Sequence, residues 1–260
     1  MAIALLIWLM TVATVFMFAG RFFWFPEAIT QNGRLMDQQF NYTLIVTCVV
    51  FVLAQVGLGW AIFRYKDRGR AASYSHGNNK MEVIWTIATT ILFFTLNITG
   101  QAVWADLHMS TPDPQALQIE VVGQQFAWNI HYPGPDGKFG RTSAKEISDS
   151  SGNPLGLLES DPAGSDDLVV PTMAVPVNRE VQLLLRAKDV THSFFVRELR
   201  FKQDAVPGMA IPVHFTANKI GKYEIICAEL CGLGHYKMKS YLEVLSQEDF
   251  DKWIKDRTAQ

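Results

Sequence analysis

The chain has 260 residues and a formal net charge of -2, from 23 Lys and Arg against 25 Asp and Glu. No basic cluster is interleaved with aromatics, so nucleic acid is excluded as an expected partner. Hydrophobic residues make up 49% and are concentrated at the front, which leaves room for a membrane anchor and one medium domain.

Three apolar runs come first: Ala2 to Trp24, broken only by Gly20 and Arg21, then about 42–63 and about 83–104. Each is about twenty residues, the length that spans a hydrocarbon core of about 30 Å. A signal peptide is the alternative for the first run. Met1-Ala-Ile-Ala-Leu-Leu6 carries no basic n-region and no small-x-small cleavage site follows, so the run is read as a retained helix. The segment Arg64-Tyr-Lys-Asp-Arg-Gly-Arg70 plus Lys80 is basic and is expected on the cytoplasmic side. That places the N-terminus inside and everything after Trp104 outside, with residues 1–108 as the anchor.

Beyond it, Ser110-Thr-Pro-Asp-Pro114 reads as a linker. Short stretches with strand character follow: Leu117–Val122, much of Gln124–Tyr132, Leu168–Pro171, Val181–Leu185, Ser193–Val196, Ile211–Phe215, Tyr223–Ile226 and Lys239–Val244. Strands this short, separated by Gly and Pro, predict a β-sandwich or barrel over 109–245. Residues 133–167 form a long polar excursion whose acids, among them Glu146, Asp149, Glu159, Asp161, Asp166 and Asp167, are expected to be solvated. Ser246 followed by Asp249 is a capping pattern opening an amphipathic helix over 246–260, with Phe250, Trp253 and Ile254 on one face.

The chemistry is concentrated near the end. Cys227, Cys231, His235 and Met238 fall within twelve residues as C-x3-C-x3-H-x2-M. Two thiolates, an imidazole and a thioether form a soft ligand set, which favours copper. The second thiolate is surplus to a mononuclear site, so the expectation is two coppers sharing both sulfurs. His192, at the start of a strand-like segment, is preferred over His131 and His214 as the imidazole supplied from outside the loop. Other readings stay open at this stage: a zinc site of two Cys and two His, which leaves Met238 unused; a Cys227–Cys231 disulfide, which explains neither His235 nor Met238; and Met238 as ordinary core. Cys48, in the second apolar run, reads as a small buried hydrophobe.

His192-Ser-Phe, Asp204-Ala-Val-Pro-Gly208 and Cys227-Ala-Glu-Leu-Cys-Gly-Leu-Gly-His-Tyr-Lys-Met238 resemble subunit II of the haem–copper cytochrome c oxidases, as does His76-Gly-Asn-Asn-Lys-Met-Glu-Val-Ile-Trp-Thr86. The resemblance implies a membrane-anchored, all-β, cupredoxin-like exported domain with a dinuclear copper A centre. Cys227 and Cys231 would bridge the coppers, His192 and His235 would be terminal ligands, and Met238 and the Glu229 carbonyl would be weak ones. It further implies a magnesium contact for the Glu229 carboxylate at the boundary with subunit I, and a proton-path mouth at Glu82. Without the resemblance, Glu229 reads as a surface acid and Glu82 as a helix N-terminal acid. Where the family has Trp-Tyr-Trp, this chain has Phe126-Ala-Trp128, so Phe126 and Trp128 are the candidates for where electrons enter; Met209 stands where the family often has arginine. No C-x-x-C-H occurs, so no c-type haem is expected on this chain. The implied function is electron acceptance from a cytochrome c or related carrier and delivery to haem in subunit I, where oxygen becomes water, in a bacterial-type inner (or mitochondrial inner) membrane. The alternative is a membrane-tethered copper-binding or copper-delivery protein.

Overall fold

The structure is a computed structural model and describes residues 1–22, 24–69, 71, 74 and 76–258. Phe23 of the first apolar run, Arg70 of the basic segment, and Ala259 and Gln260 of the C-terminal segment lie outside the described residues. The chain divides into two compact units, one of residues 1–25 and 35–107, the other of residues 26–34 and 108–260.

The first unit is helical. Helices α1 (Ala2–Ala19), α2 (Gln31–Arg64) and α3 (Asn79–Met109) are each long and apolar enough to cross a membrane. Two of them reach beyond their apolar runs because polar caps satisfy their first amides. The Gly33 amide donates to Thr30 Oγ1 at 2.9 Å, which starts α2 well ahead of Tyr42. The amides of Lys80 and Met81 donate to Asn78 Oδ1 at 3.1 and 3.3 Å, which starts α3 before Val83. Threonine hydroxyls inside these helices return to their own backbone, as Thr47 does to the Thr43 carbonyl at 2.8 Å and Thr89 to Trp85 at 2.8 Å. Hydrocarbon offers a hydroxyl no other partner. Gln39 ties α2 to α3 by donating to Thr99 Oγ1 at 3.1 Å and the Leu96 carbonyl at 3.3 Å.

The second unit is a β-sandwich. Its strands are β1 (Leu117–Gln124), β2 (Ala127–Tyr132), β3 (Leu168–Val170), β4 (Met173–Pro176), β5 (Glu180–Ala187), β6 (His192–Val196), β7 (Phe201–Ala205), β8 (Ile211–Thr216), β9 (Gly221–Cys227) and β10 (Lys239–Leu245). One sheet runs β3-β2-β1-β5-β8 and the other β4-β10-β9-β6-β7, with β1–β5 and β4–β10 parallel and the remaining pairs antiparallel. Alternation sends Ile119 and Val121 of β1 and Leu183 and Leu185 of β5 inward against Phe194, Ile225 and Leu242. Helix α4 (Gln247–Thr258) closes one side with Phe250 and Trp253, and the Asp249 amide donates to Ser246 Oγ at 3.1 Å.

Two strands have no counterpart in the sequence reading. All four residues of β4 are buried, so it shows no alternation; the Tyr132 hydroxyl holds it, donating to the Ala174 carbonyl at 2.8 Å and accepting from the Ala174 amide at 2.7 Å. Strand β7 is mostly polar and is formed by its pairing with β6.

The acids of the 133–167 excursion also depart from expectation. Asp167 is not solvated: its Oδ2 accepts from His131 Nε2 at 2.7 Å and from the Gly140 amide at 2.7 Å, and its Oδ1 from the Gly134 amide at 3.1 Å. Asp161 binds Arg141, whose Nε lies 3.1 Å away. These two carboxylates fold the excursion onto the sheet, because a buried backbone N–H needs an acceptor.

Candidate metal centre

Four connections meet at one end of the sandwich. The β1–β2 turn carries Gln125 and Phe126, the β5–β6 connection Asp189, the β7–β8 connection Pro207 to Met209, and the β9–β10 connection the cysteine loop. The Gln125 amide donates to Asp189 Oδ2 at 2.8 Å, Gln125 Nε2 donates to the Cys231 carbonyl at 2.6 Å, and Pro207 bridges to Ala187.

Strand β9 delivers Cys227 and pairs with β6, in register Phe194 to Cys227, which carries the head of β6 to the loop. His192 is therefore brought to the cysteines by strand pairing. Ligand atoms of His192, Cys227 and Cys231 lie within 4.8 Å of one another, all three buried. Cys227 Sγ is 3.9 Å from His192 Nδ1 and 3.1 Å from the Glu229 carbonyl. Cys231 Sγ is 3.6 Å from His235 Nδ1 and 3.8 Å from Met238 Sδ. Four of the six proposed ligand atoms thus gather around the other two, the cysteine sulfurs. Both cysteines are free thiols. Burial, with Cys227 adding to it, pushes the Cys231 thiol up to about 11, so without metal it stays protonated at neutral pH.

The tautomer of His192 follows from Asp189. His192 Nε2 sits 2.8 Å from Asp189 Oδ1, and a carboxylate only accepts, so Nε2 carries the proton and Nδ1 offers its lone pair to the sulfur side. Burial alone would raise the Asp189 carboxyl; hydrogen bonds from the Gln125 amide, His192 and the Val190 amide hold it below the ordinary range. Asp189 was present in the sequence three residues ahead of His192, yet its role depends on a fold that turns it back onto the ring. Trp128, buried, packs edge-on to His192 with ring centroids 6.0 Å apart. Phe126 lies across the cysteine loop, so close that a Cβ on Gly234 would come within 2.3 Å of its ring.

The two histidines that compete with His192 for this role, His131 and His214, are engaged elsewhere. His131 Nδ1 is 2.8 Å from Glu120 Oε2 and its Nε2 is taken by Asp167. His214 Nδ1 is 2.7 Å from Glu180 Oε1. Glu82 lies exposed in the first turn of α3, in the other unit, and the Glu229 side chain is exposed.

The donor set discriminates among metals. A buried pair of thiols with two imidazoles, a thioether and a carbonyl suits copper, whereas structural zinc is closed by four thiolate and imidazole ligands and leaves a thioether idle.

Residues 117–245 match the family described as cytochrome C oxidase subunit II, periplasmic domain, and residues 19–101 match the transmembrane domain of the same subunit. The alternative cytochrome c oxidase subunit 2 of Bradyrhizobium diazoefficiens is 33% identical over 261 residues, covering 99% of this chain and 92% of that one. The chain belongs to the cytochrome c oxidase subunit II family. The cytochrome c oxidase subunit 2 of Synechocystis is 29% identical, covering 88% of this chain and 74% of that one. Among solved structures, the periplasmic domain of subunit II of the Bradyrhizobium japonicum cytochrome oxidase is 27% identical with a TM-score of 0.42, covering 58% of this chain and 96% of that one. As a subunit II, the chain is part of an oxidoreductase complex, is anchored in a membrane, and carries its sandwich on the exported side. Helix α1 lies almost wholly ahead of the span matched by the transmembrane family, whereas the alignment with the Bradyrhizobium relative covers 99% of this chain.

Proposed function

We propose that this subunit accepts electrons one at a time from a soluble carrier, a cytochrome c or a related protein, at a dinuclear copper centre, and passes them to haem in subunit I. The observation that carries the proposal is the convergence of Cys227, Cys231, His192, His235, Met238 and the Glu229 carbonyl on two free, buried sulfurs. Bound between those thiolates, two coppers would supply one-electron chemistry with little change of ligand geometry.

The chain's own residues do the rest. Asp189 fixes the tautomer and direction of His192, and the Gln125 side chain pins the loop through the Cys231 carbonyl. Burial of both cysteines and Met238 keeps water from the sulfurs, and Trp128 and Phe194 wall the His192 side. The Glu229 carboxylate, exposed beside the loop, is available to a magnesium ion at the subunit I boundary. Glu82, at the far end of α3, is the proposed mouth of a proton path into subunit I.

Topology supports the expected orientation. The Pro26–Arg34 segment belongs to the copper-domain unit, with Ile29 paired to Glu198 and Thr30 bridged to Ala217. The α1–α2 connection is then exported, and Met1 and the basic segment after Arg64 fall on the cytoplasmic side.

The test is metal analysis and spectroscopy of the full chain purified from membranes with its partner subunits. Two coppers per chain with a mixed-valence paramagnetic signal shared by both nuclei are expected. Cys231→Ser should abolish that signal and electron uptake while the helices remain folded. One copper per chain, or zinc in its place, would sink the dinuclear reading.

A further inference from the structure

The metal-bearing end of the sandwich is also where the second unit leaves its apolar side chains uncovered. Among the described residues of that unit, the exposed large hydrophobics are Met109, Phe126, Val190, Met209, Ile220, Leu230, Leu233 and Tyr236, and six of these eight lie in the four connections around the metal loop. Leu233 is 97% exposed, Leu230 78% and Tyr236 77%. Leu233 stands between Gly232 and Gly234, both close against the Phe126 ring, so an exposed leucine and a partly exposed aromatic ring share the loop that carries Cys231 and His235. A monomeric soluble surface seldom keeps such a cluster unless something binds there.

Charge at this end is sparse and balanced. The same four connections hold two cations, Lys188 and Lys237, and two acids, Asp189 and Glu229. Two of the four are already engaged: Lys188 donates to Gln124 Oε1 at 2.6 Å, and Asp189 holds His192 and the Gln125 amide. The connections themselves carry no acidic ring to steer a basic protein. In the acid-rich excursion, Asp161 and Asp167 are spent on the fold, and the exposed Asp149 lies 3.6 Å from Lys188, so these two charges offset each other.

We infer that Phe126, Leu233 and Tyr236 form the docking surface for the electron donor, and that this donor is a soluble redox protein whose cofactor edge is ringed by apolar, uncharged side chains. The inference rests on the electron-accepting function proposed above and narrows the donor by surface chemistry. Each encounter moves one electron from the donor's cofactor to the subunit, with no bond made or broken. Apolar contact then sets the affinity, and association proceeds without electrostatic steering.

The experiment uses the purified oxidase in phosphatidylcholine nanodiscs and two probes: azurin, whose copper edge is ringed by apolar side chains, and a c-type cytochrome with a ring of lysines at its haem edge. Dissociation constants are measured for each at about 20 and about 500 mM KCl, a range over which exposed charge pairs are largely screened. Azurin is expected to bind more tightly than the cytochrome, with less than about a threefold change across that range. Leu233→Asp and Tyr236→Glu should each weaken azurin binding about tenfold or more, as loss of a central contact does. Copper content and the visible spectrum, recorded on every variant, should not change.

Tighter binding of the lysine-ringed cytochrome with a more than about tenfold loss at high salt would overturn the inference. So would indifference of azurin binding to both substitutions with copper intact, which leaves the proposed function standing. Slow amide exchange at 232–236 in the donor-free oxidase would mark these loops as a seam between subunits and would also overturn it. A wild-type protein without copper would fail the functional reading and this inference together.

Discussion

Asp189 Oδ1 lies 2.8 Å from His192 Nε2, and its Oδ2 accepts the Gln125 amide at 2.8 Å, so a single carboxylate ties the proposed ligand to the β1–β2 turn. Removing it should free the ring to tilt and to protonate on the wrong nitrogen. Asp189→Ala is expected to lower copper affinity by about 10–100-fold, the usual cost of losing the partner that orients a metal-bound histidine. Asp189→Asn should lose less, since its carbonyl oxygen still accepts from Nε2. Chelator competition on the full chain decides it. Unchanged affinity in Asp189→Ala would show that packing alone orients His192.

Two glycines near the loop should behave differently, because different things stand against them. A Cβ on Gly123 would meet His192 Cδ2 at 2.9 Å, and that ring is held by Asp189 on one edge and Trp128 on another. A Cβ on Gly234 would meet the Phe126 ring at 2.3 Å, but Phe126 is 38% exposed and can swing outward. Gly123→Ala is therefore expected to weaken copper binding and shift the absorption of the centre. Gly234→Ala should leave copper affinity within about threefold of wild type while moving Phe126, a volume change of one methyl being tolerated where the neighbour can relax. Equal losses in the two variants would mean that the loop, not His192, is the sensitive element.

The proposed metal ligands could be named from the sequence because five of the six fall in one twelve-residue loop whose ligand types are rare in company. His192 was legible only by preference over two other histidines, and strand pairing explains why it wins: register with β9 brings it to Cys227, while His131 and His214 face carboxylates on the opposite sheet. Helices α1 to α3 declared themselves by length and apolarity, but their ends did not, since Thr30 and Asn78 carry α2 and α3 past the apolar runs. Strand β4 has no alternation to detect, and β7 too few apolar residues. Asp189 and Asp167 were hidden for a common reason. A carboxylate's partner is set by the return of the chain, so Asp167 reads as a solvated acid and Asp189 carries no signal until the fold places a histidine beside each.

His131 should make stability depend on pH. Both of its ring nitrogens face carboxylates, Glu120 at 2.8 Å and Asp167 at 2.7 Å, and both must donate, so the ring is an imidazolium. Burial opposes that charge, but the hydrogen bonds and charges of Glu120 and Asp167 outweigh it and raise the pKa above the ordinary value. A raised folded-state pKa means that the stabilisation is fully present below about pH 6.5 and fades as pH climbs through the folded value. His131→Leu leaves the buried Asp167 without its cation, while Glu120 keeps Arg186 at 2.7 Å, so the cost should fall at the low end of that for breaking a buried pair, about 3 kcal/mol. Melting curves should show the largest gap between wild type and His131→Leu near pH 6, narrowing at pH 9. A gap that widens with pH would show that the ring is neutral.

Ile29 gives the last prediction, and it concerns how the copper domain is completed. The residue precedes α2, yet it is 1% exposed within the sandwich core. Its amide donates to the Glu198 carbonyl at 2.8 Å, its carbonyl accepts from the Asn218 amide at 2.8 Å, and Thr30 next to it bridges to Ala217. Salt bridging by Glu27 to Lys219, at 2.6 Å, adds little because both side chains are exposed. The stabilisation thus comes from burial and backbone pairing, and Ile29→Ala should cost about 2–5 kcal/mol. A soluble fragment beginning at residue 108 lacks this segment and should melt several degrees below the same fragment with residues 26–34 fused through a flexible linker. Copper binding in the two fragments should differ less than their melting temperatures, since the segment packs against Glu198 and Ala217 rather than the cysteine loop. Coincident melting curves would show that the sandwich closes its core without the segment that precedes α2.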